Sequence, residues 1–146
     1  MENKKPLGFY FKKIHDIFIA DANIQLKKWG LTFSQMEVLI YLLKRQDTQT
    51  LQKDIEIHFN LKHPTVIGTL KRMEKKGLIK SVTNPEDRRG NIILLTDKAF
   101  EFEKMMVKFK KNMEMKFVKD LSDGQKEQLV DLLEIVYNSV TRSEEG

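Results

Sequence analysis

The chain has 146 residues, of which 40% are hydrophobic and 32% are charged, and its formal net charge is +5. This length suits one domain with a packed core and excludes two independent enzymes. The lack of cysteine excludes disulfides, thiolate metal sites and thiol redox switches. No apolar run reaches the ~18 to 20 residues of a membrane span, and the closely spaced charges near the start exclude a signal-peptide core. We therefore expect a cytoplasmic protein that binds no membrane.

The excess positive charge lies in the middle of the chain. Residues 44–96 contain eleven Lys and Arg against six Asp and Glu, whereas the rest of the chain contains fifteen of each. Four of the five arginines fall in this segment, and two of them, Arg88 and Arg89, are adjacent. A basic segment within a neutral scaffold is typical of a protein that binds a polyanion, and the planar fork of arginine suits phosphate and narrow grooves. A solvated, lysine-rich surface is the alternative interpretation.

The first part of the chain predicts two helices. Residues 6–28 carry apolar side chains at helical spacing, and Gly30 is suited to end this long amphipathic helix. Thr32 is expected to cap the next helix, with Gln35 as the second half of a capping box. The apolar residues that follow, up to Leu43, predict a largely buried second helix.

Two short helices are predicted next, between residues 50 and 77. Thr50 is the expected cap of the first of them, Asn60 suits a left-handed turn, and Pro64 fits the first turn of the second. Gly77 is suited to end the second helix. Two short helices joined by a turn of roughly three to four residues form a helix-turn-helix pattern.

The apolar period changes from helical to alternating after Gly77. Residues 78–83 and 91–95 predict two strands around the charged loop 84–90, and a hairpin that directly follows a helix-turn-helix is the wing of a winged helix. The helical period then returns and predicts one helix from Thr96 to Lys119. Ser122 and Gln125 predict the capping box of a last helix. The expected fold is mainly α with a small β-hairpin wing.

This order of elements resembles the MarR family of bacterial transcriptional regulators over nearly the whole chain. The wing sequence from Asp87 to Thr96, DRRGNIILLT, is similar to the family pattern of Asp, any residue, Arg, five residues and Leu-Thr. The stretch from Leu70 to Ile79 resembles the end of the family's recognition helix. The resemblance implies one domain over 1–146, with the winged helix-turn-helix in 32–96 and dimerisation helices in 6–28 and 97–142.

The resemblance implies a homodimer that binds a near-palindromic operator in double-stranded DNA. Asp87 would hold the wing arginine, and Arg89 would enter a narrow minor groove, although a solvated surface pair is the alternative. Ile67 and Gly68 depart from relatives that commonly have a polar residue followed by Arg, so direct base readout would be sparse and Ile67 would meet a thymine methyl. The predicted DNA-binding residues are Lys62, His63, Pro64, Thr65, Ile67, Thr69, Lys71, Arg72, Asp87, Arg88 and Arg89.

Members of this family often bind a small organic anion between the dimerisation helices and the winged part. The resemblance therefore implies a repressor in the bacterial cytoplasm that a small-molecule effector releases from DNA. The alternative is that the aromatic and methionine side chains on these helices only form part of the hydrophobic core. The residues predicted to border an effector pocket are His15, Phe18, Met36, Tyr41, Met105 and Phe109.

The sequence contains no motif for catalysis or metal binding. It has no Gly-rich phosphate loop, nucleophile elbow or paired acid-base group, so we do not expect an enzyme. Its three histidines are scattered, and none lies on the helix after the wing, so no metal or other cofactor is expected. Two alternatives to a repressor remain: an activator of the same fold, and a winged-helix protein that uses its basic face for a protein partner.

Overall fold

The structure is a computed structural model that describes residues 3–87 and 90–142. The chain divides into two compact units, Met1–Phe109 and Lys110–Gly146. The described residues form helices and one two-stranded antiparallel hairpin. In chain order the elements are α1 (Leu7–Leu26), α2 (Phe33–Leu43), α3 (Gln52–Phe59), α4 (His63–Lys75), β1 (Ile79–Thr83), β2 (Asn91–Leu95), α5 (Asp97–Glu101), α6 (Glu103–Phe117) and α7 (Asp123–Arg142).

Local hydrogen bonds fix the corner between α1 and α2. α1 continues into a short 3-10 turn that ends at Gly30, whose φ of 71° lies in the left-handed region that glycine adopts without a Cβ penalty. The predicted capping box is confirmed, because Thr32 Oγ1 accepts from the Gln35 amide at 3.2 Å and Gln35 Oε1 accepts from the Thr32 amide at 3.3 Å. Asn23 Oδ1 accepts from the Phe33 amide at 2.8 Å and thereby holds the start of α2 against α1.

The helix-turn-helix is formed by α3 and α4. The turn contains Asn60 with a φ of 49°, as predicted from the tolerance of Asn for this region. Thr50 was wrongly predicted to cap α3. The cap residue is Leu51, whose amide donates to Asp54 Oδ2 at 2.8 Å, whereas the Thr50 hydroxyl accepts from Arg45 Nε at 3.2 Å. Thr50 is buried, and its carbonyl accepts from the Ile93 amide at 2.9 Å, so it joins this loop to β2.

The hairpin is attached to the end of α4. β1 and β2 pair with Ile79 opposite Leu95 and Thr83 opposite Asn91. Gly77, with a φ of 76°, ends the turn after α4, and its carbonyl accepts from Thr96 Oγ1 at 2.6 Å. The base of the wing and the end of the recognition helix are therefore joined directly.

Apolar side chains from every helix of the winged part and from the hairpin form the core of the first unit. The pattern is the expected one, in which residues three or four apart on each helix turn inward. The largest fully buried side chains are Leu26, Met36, Leu39, Ile55, Val66, Met73, Leu78, Ile79 and Met106.

The helix after the wing is interrupted. The prediction of one continuous helix from Thr96 to Lys119 was wrong, because α5 ends at Glu101 and α6 begins at Glu103. The amide of Phe102 donates to the Ala99 carbonyl, three residues back, at 3.2 Å. The α-helical pattern of bonds to the carbonyl four residues back resumes at Met106, whose amide donates to the Phe102 carbonyl at 2.8 Å. A hydrogen bond between residues three apart forms a tighter 3-10 turn, and it interrupts the α-helical hydrogen bonding at this point.

The last helix has a capped start and an exposed surface. Ser122 Oγ accepts from the Gln125 amide at 3.2 Å and Gln125 Oε1 accepts from the Ser122 amide at 2.9 Å, which confirms the predicted capping box. None of the described residues of α7 is buried, and Leu132 and Ile135 are 53% and 63% exposed. Among residues 3–87 and 90–142, no helix is long and apolar enough to cross a membrane.

Candidate nucleic-acid interface

The recognition helix α4 has one buried and one exposed side. Val66, Leu70 and Met73 recur at helical spacing and are buried in the core of the first unit. Because these residues fix the rotation of α4, the predicted contact residues on its other side turn outward, and Thr69 is the exception. The exposed or half-exposed members of the predicted set on α4 and its cap are Lys62, His63, Pro64, Thr65, Ile67, Lys71 and Arg72.

Thr69 does not belong with these residues. Its side chain is only 8% exposed, and its hydroxyl donates to the Thr65 carbonyl at 3.0 Å, one turn back on the same helix. Thr69 lies on the buried stripe three residues after Val66, which explains why it turns inward. The structure therefore removes Thr69 from the predicted contact set.

The start of α4 is held to α3 through a polar cluster. His63 Nδ1 pairs with Glu56 Oε1, and Gln52 Nε2 lies 3.4 Å from the same nitrogen. The Glu56 side chain is largely covered, whereas that of His63 is exposed. This cluster joins the first residue of α4 to α3 and leaves much of the His63 side chain exposed.

A groove separates α4 from the wing. Its volume is about 840 Å³, and residues of α3, α4, both strands and the wing loop line it. The groove brings together four members of the predicted set, namely His63, Ile67, Lys71 and Asp87. Its lining carries both signs of charge, because the cation Lys53 and the acids Glu56 and Glu74 lie there too. Sequence reasoning missed Lys53, whose only marker was its place in the basic segment.

The wing loop is fixed at its base by Asn84. This side chain is buried, and its Oδ1 accepts from the Glu86 amide at 3.1 Å. The Asn84 amide donates to the Gly90 carbonyl at 2.9 Å, and the Gly90 amide donates to the Asp87 carbonyl at 3.0 Å. Asn before Pro favours this kind of turn, so the sequence contained the marker. Arg88 and Arg89, and the predicted contact of Asp87 with the wing arginine, lie outside the described residues.

A single lysine joins the end of α4 to the corner between α1 and α2. Lys76 Nζ donates to Gln35 Oε1 at 2.7 Å and to the Gly30 carbonyl. Burial, and secondly the positive charge of Arg72, hold the pKa of the Lys76 ammonium below its ordinary value of 10.5. Lys76 therefore has a positioning role that its sequence context did not indicate.

The six residues predicted to border an effector pocket differ in burial. Met36 and Phe109 are buried, Phe18, Tyr41 and Met105 are half-buried, and His15 is exposed. The ring of Tyr41 stacks on His58 with centroids 4.2 Å apart, and the ring of Phe18 meets that of Phe33 edge-on at 5.3 Å. None of the six lines the groove beside α4 or a second cavity between the loop 45–50 and the hairpin.

The described part of the chain contains no group of three or more His, Asp or Glu side chains placed to hold a metal ion. The hairpin after α4, and the exposed, cationic side of α4 itself, define a winged helix-turn-helix protein.

Residues 29–90 match the model of the MarR family. The chain is 37% identical over 107 residues to the HTH-type transcriptional regulator YwoH of Bacillus subtilis, which covers 73% of this chain and 75% of that protein. It is 23% identical over 138 residues to the HTH-type transcriptional repressor IacR of Pseudomonas putida, covering 94% of this chain and 81% of IacR.

Two solved structures share the fold. The S. aureus MepR–DNA complex has a TM-score of 0.86 at 26% identity and covers 94% of this chain and 99% of that one. A crystal structure of MarR has a TM-score of 0.79 at 21% identity, over 99% and 97% of the two chains. The chain therefore belongs to the MarR family, and it is a transcriptional regulator of the winged helix-turn-helix type, not an enzyme. The family and fold class predicted from the sequence are confirmed.

Proposed function

We propose that this chain is a homodimeric, sequence-specific DNA-binding repressor that a small organic effector releases from its operator. The observation that carries the proposal is the exposed side of α4 beside the wing, within the segment that holds the net positive charge of the chain. The similarity to MepR, which has been solved as a DNA complex, supports it.

The proposed binding mode follows from the dimensions of DNA. A major groove about 12 Å wide admits an α-helix, and the N-terminal residues of a recognition helix meet the base edges. Lys62 and Thr65 lie at that end of α4 and are exposed. Asn84 holds the base of the wing loop, so that Arg89 can enter the adjacent minor groove, where a narrow A·T stretch concentrates negative potential.

The apolar surfaces of α1 and α7 support a dimer. Ile17 and Ile24 of α1 are 62% and 74% exposed, and the apolar residues of α7 are exposed along its whole length. Exposed apolar surface of this kind on a helix is typical of an interface in proteins that fold in water. We propose that a second copy covers both helices and places two recognition helices about 34 Å apart, one turn of DNA.

Repression is the simplest consequence of such binding, because a dimer that covers a promoter blocks polymerase without further machinery. The similarity to IacR, which is named a repressor, supports this direction of regulation. For the effector we retain the proposal that His15, Phe18, Met36, Tyr41, Met105 and Phe109 surround its site.

The test is selection of binding sites from a random duplex pool at ~150 mM salt, where nonspecific binding weakens and base readout dominates. We expect an A·T-rich inverted repeat whose half-sites lie one turn apart. The logarithm of affinity should fall with the logarithm of salt by about 0.9 per phosphate contact. A random pool together with no duplex affinity at any salt would reject the proposal and favour a protein partner for the basic face.

A further inference from the structure

The middle of the recognition helix contains a glycine that the backbone does not require. Gly68 has no positive φ, and a Cβ at this position would meet side-chain atoms as its nearest neighbours. A glycine inside a helix lowers helix stability by about 1 kcal/mol relative to alanine. At roughly 100° per residue, Gly68 lies nearly opposite the buried Val66, Leu70 and Met73, so it is at the centre of the outward side.

The guanidinium of Arg72 covers this glycine. A Cβ at Gly68 would lie 3.4 Å from Nη1, 3.6 Å from Nη2 and 3.8 Å from Cζ of Arg72, and these are its three nearest atoms. Helical side chains point toward the N-terminus, so the residue four positions later reaches back over the preceding turn. A Cβ alone would stay at ordinary contact distance, whereas a side chain that extends beyond Cβ at position 68 would compete with the guanidinium for this space.

This placement moves a cation toward the reading end of the helix. Arg72 itself lies in the second half of α4, but its guanidinium is one turn closer to the N-terminal residues that meet base edges. No carboxylate of residues 3–87 and 90–142 forms an ion pair with Arg72, and the residue is exposed. The five N–H donors of its planar group are thus available to a ligand with paired acceptors.

We propose that Gly68 positions Arg72 as a specificity-determining residue that reads a guanine in each operator half-site. Guanine presents O6 and N7 side by side in the major groove, and arginine donates to both at once. This inference rests on the proposed DNA-binding function and adds to it a G·C pair within the A·T-rich half-site. Readout by α4 is then not limited to methyl contacts of Ile67.

The experiment uses the full-length protein and the operator selected above. Replacing each half-site guanine in turn by 7-deazaguanine removes N7 without changing the base pair. We expect one such replacement to weaken binding of the wild type by about tenfold, within the range of discrimination that a bidentate arginine provides. Arg72→Ala should weaken binding to the unmodified operator to a similar extent and should be insensitive to 7-deazaguanine.

Variants at position 68 test whether Gly68 positions the Arg72 guanidinium or whether the positive charge of Arg72 alone is sufficient. Gly68→Leu should raise the melting temperature, since Leu favours helix, and yet abolish sensitivity to 7-deazaguanine. Gly68→Ala should lose less of this sensitivity, because its Cβ stays at contact distance from the guanidinium. In the Arg72→Ala background, Gly68→Leu should cost nothing further, as expected for two residues that act as a unit. Lys75→Ala is the matched control on the same helix and should lower affinity equally for modified and unmodified DNA.

The outcomes distinguish the two proposals. If the wild type binds no duplex at any salt, the proposed function fails and this inference fails with it. If the wild type binds its operator but Arg72→Ala keeps the full response to 7-deazaguanine, the inference alone is overturned. A Gly68→Leu variant that keeps this response would likewise show that the glycine does not position Arg72.

Discussion

At the residue scale, three left-handed backbone positions among residues 3–87 and 90–142 decide where helices end. Gly30, Asn60 and Gly77 have φ values of 71°, 49° and 76°, and each lies directly after a helix or its last turn. An L-residue with a Cβ is strained in this region by roughly 1–2 kcal/mol, which glycine avoids and asparagine tolerates. The direction in which each following element leaves therefore depends on one residue.

Replacing Gly77 tests this strain. A Cβ at Gly77 would meet only the flexible Cδ of Lys98, at 3.9 Å, so backbone strain is the main cost. We expect Gly77→Ala to lower the free energy of unfolding by about 1–2 kcal/mol. Gly124→Ala is the matched control, since its Cβ meets nothing within 4 Å and no positive φ opposes it. Gly124→Ala should raise the free energy of unfolding by up to about 1 kcal/mol. Urea unfolding at one protein concentration measures both changes, and equal effects would contradict the argument.

At the scale of elements, Lys76 joins the recognition helix to α2, and Asn84 and Thr96 hold the wing. The Lys76 ammonium is shared between Gln35 and Gly30, so the position of α4 depends on a contact 41 residues away in sequence. Thr96 links the end of β2 to the Gly77 carbonyl. The two proposed DNA-contacting elements, α4 and the wing, are therefore positioned by polar contacts outside their own helical or strand ladders.

The lowered pKa of Lys76 predicts a pH dependence of stability. Between the folded-state pKa and 10.5, the unfolded chain binds more protons at this site than the folded chain. The free energy of unfolding contributed by Lys76 therefore rises as pH rises through this interval. We expect Lys76→Gln to lose that rise, so its deficit relative to the wild type grows toward pH 10.5. Urea unfolding at a series of pH values measures the deficit. Lys75→Gln changes the exposed neighbour, and its free energy of unfolding should differ from that of the wild type by the same amount at every pH. The prediction would be contradicted if the free energy of unfolding of Lys76→Gln also ran parallel to that of the wild type over this pH range.

The wing makes a separate contribution at the same scale. If Arg89 enters the minor groove, Arg89→Ala should weaken operator binding by about tenfold or more, because a charge-assisted contact in a narrow groove is lost. We expect an unchanged melting temperature, because the sequence places Arg89 in the charged loop 84–90 of the predicted hairpin and not in an apolar stripe. Lys104→Ala removes the same charge from α6 and serves as the control in a fluorescence anisotropy titration. Equal affinities of the two variants would show that the wing does not enter the groove.

At the scale of the whole molecule, α7 exposes a series of apolar side chains among the described residues, which is the surface that the proposed dimer would cover. The apolar residues of α7 stay exposed although the helix is capped at its start and amphipathic in sequence. Burying a leucine or isoleucine side chain contributes about 1.5–3 kcal/mol, so a second copy that covers several of them gains considerable stability. Dimerisation would also set the separation of the two recognition helices.

A charge in the exposed surface of α7 tests the dimer. Leu132→Asp should convert the proposed dimer to a monomer, because burying an unpaired carboxylate in an apolar interface is strongly unfavourable. Operator affinity should fall with it, since one half-site offers half of the contacts. Asn112→Asp introduces the same charge at an exposed position of α6 and should stay dimeric. Sedimentation equilibrium reports the mass directly, and a Leu132→Asp variant with unchanged dimer mass would place the interface elsewhere.

The sequence by itself determined the features that depend on neighbours within about four residues. The capping boxes at Thr32 and Ser122, the left-handed turn at Asn60 and the order of helices and strands all follow from such local bonds. The wing pattern was sufficient to predict the family. Local bonds are encoded by adjacent residues, which is why they could be inferred without a fold.

Only the tertiary structure decided which partner a polar or borderline residue finds at long range. Thr50 could have capped α3, but burial against β2 directs its groups to Arg45 and Ile93. Thr69 could have faced DNA, but the rotation that buries Val66 and Met73 turns it inward. Lys76 reaches Gln35 only because α4 packs near the start of α2. In each case several local arrangements have similar free energies, and the packing of distant elements selects one of them.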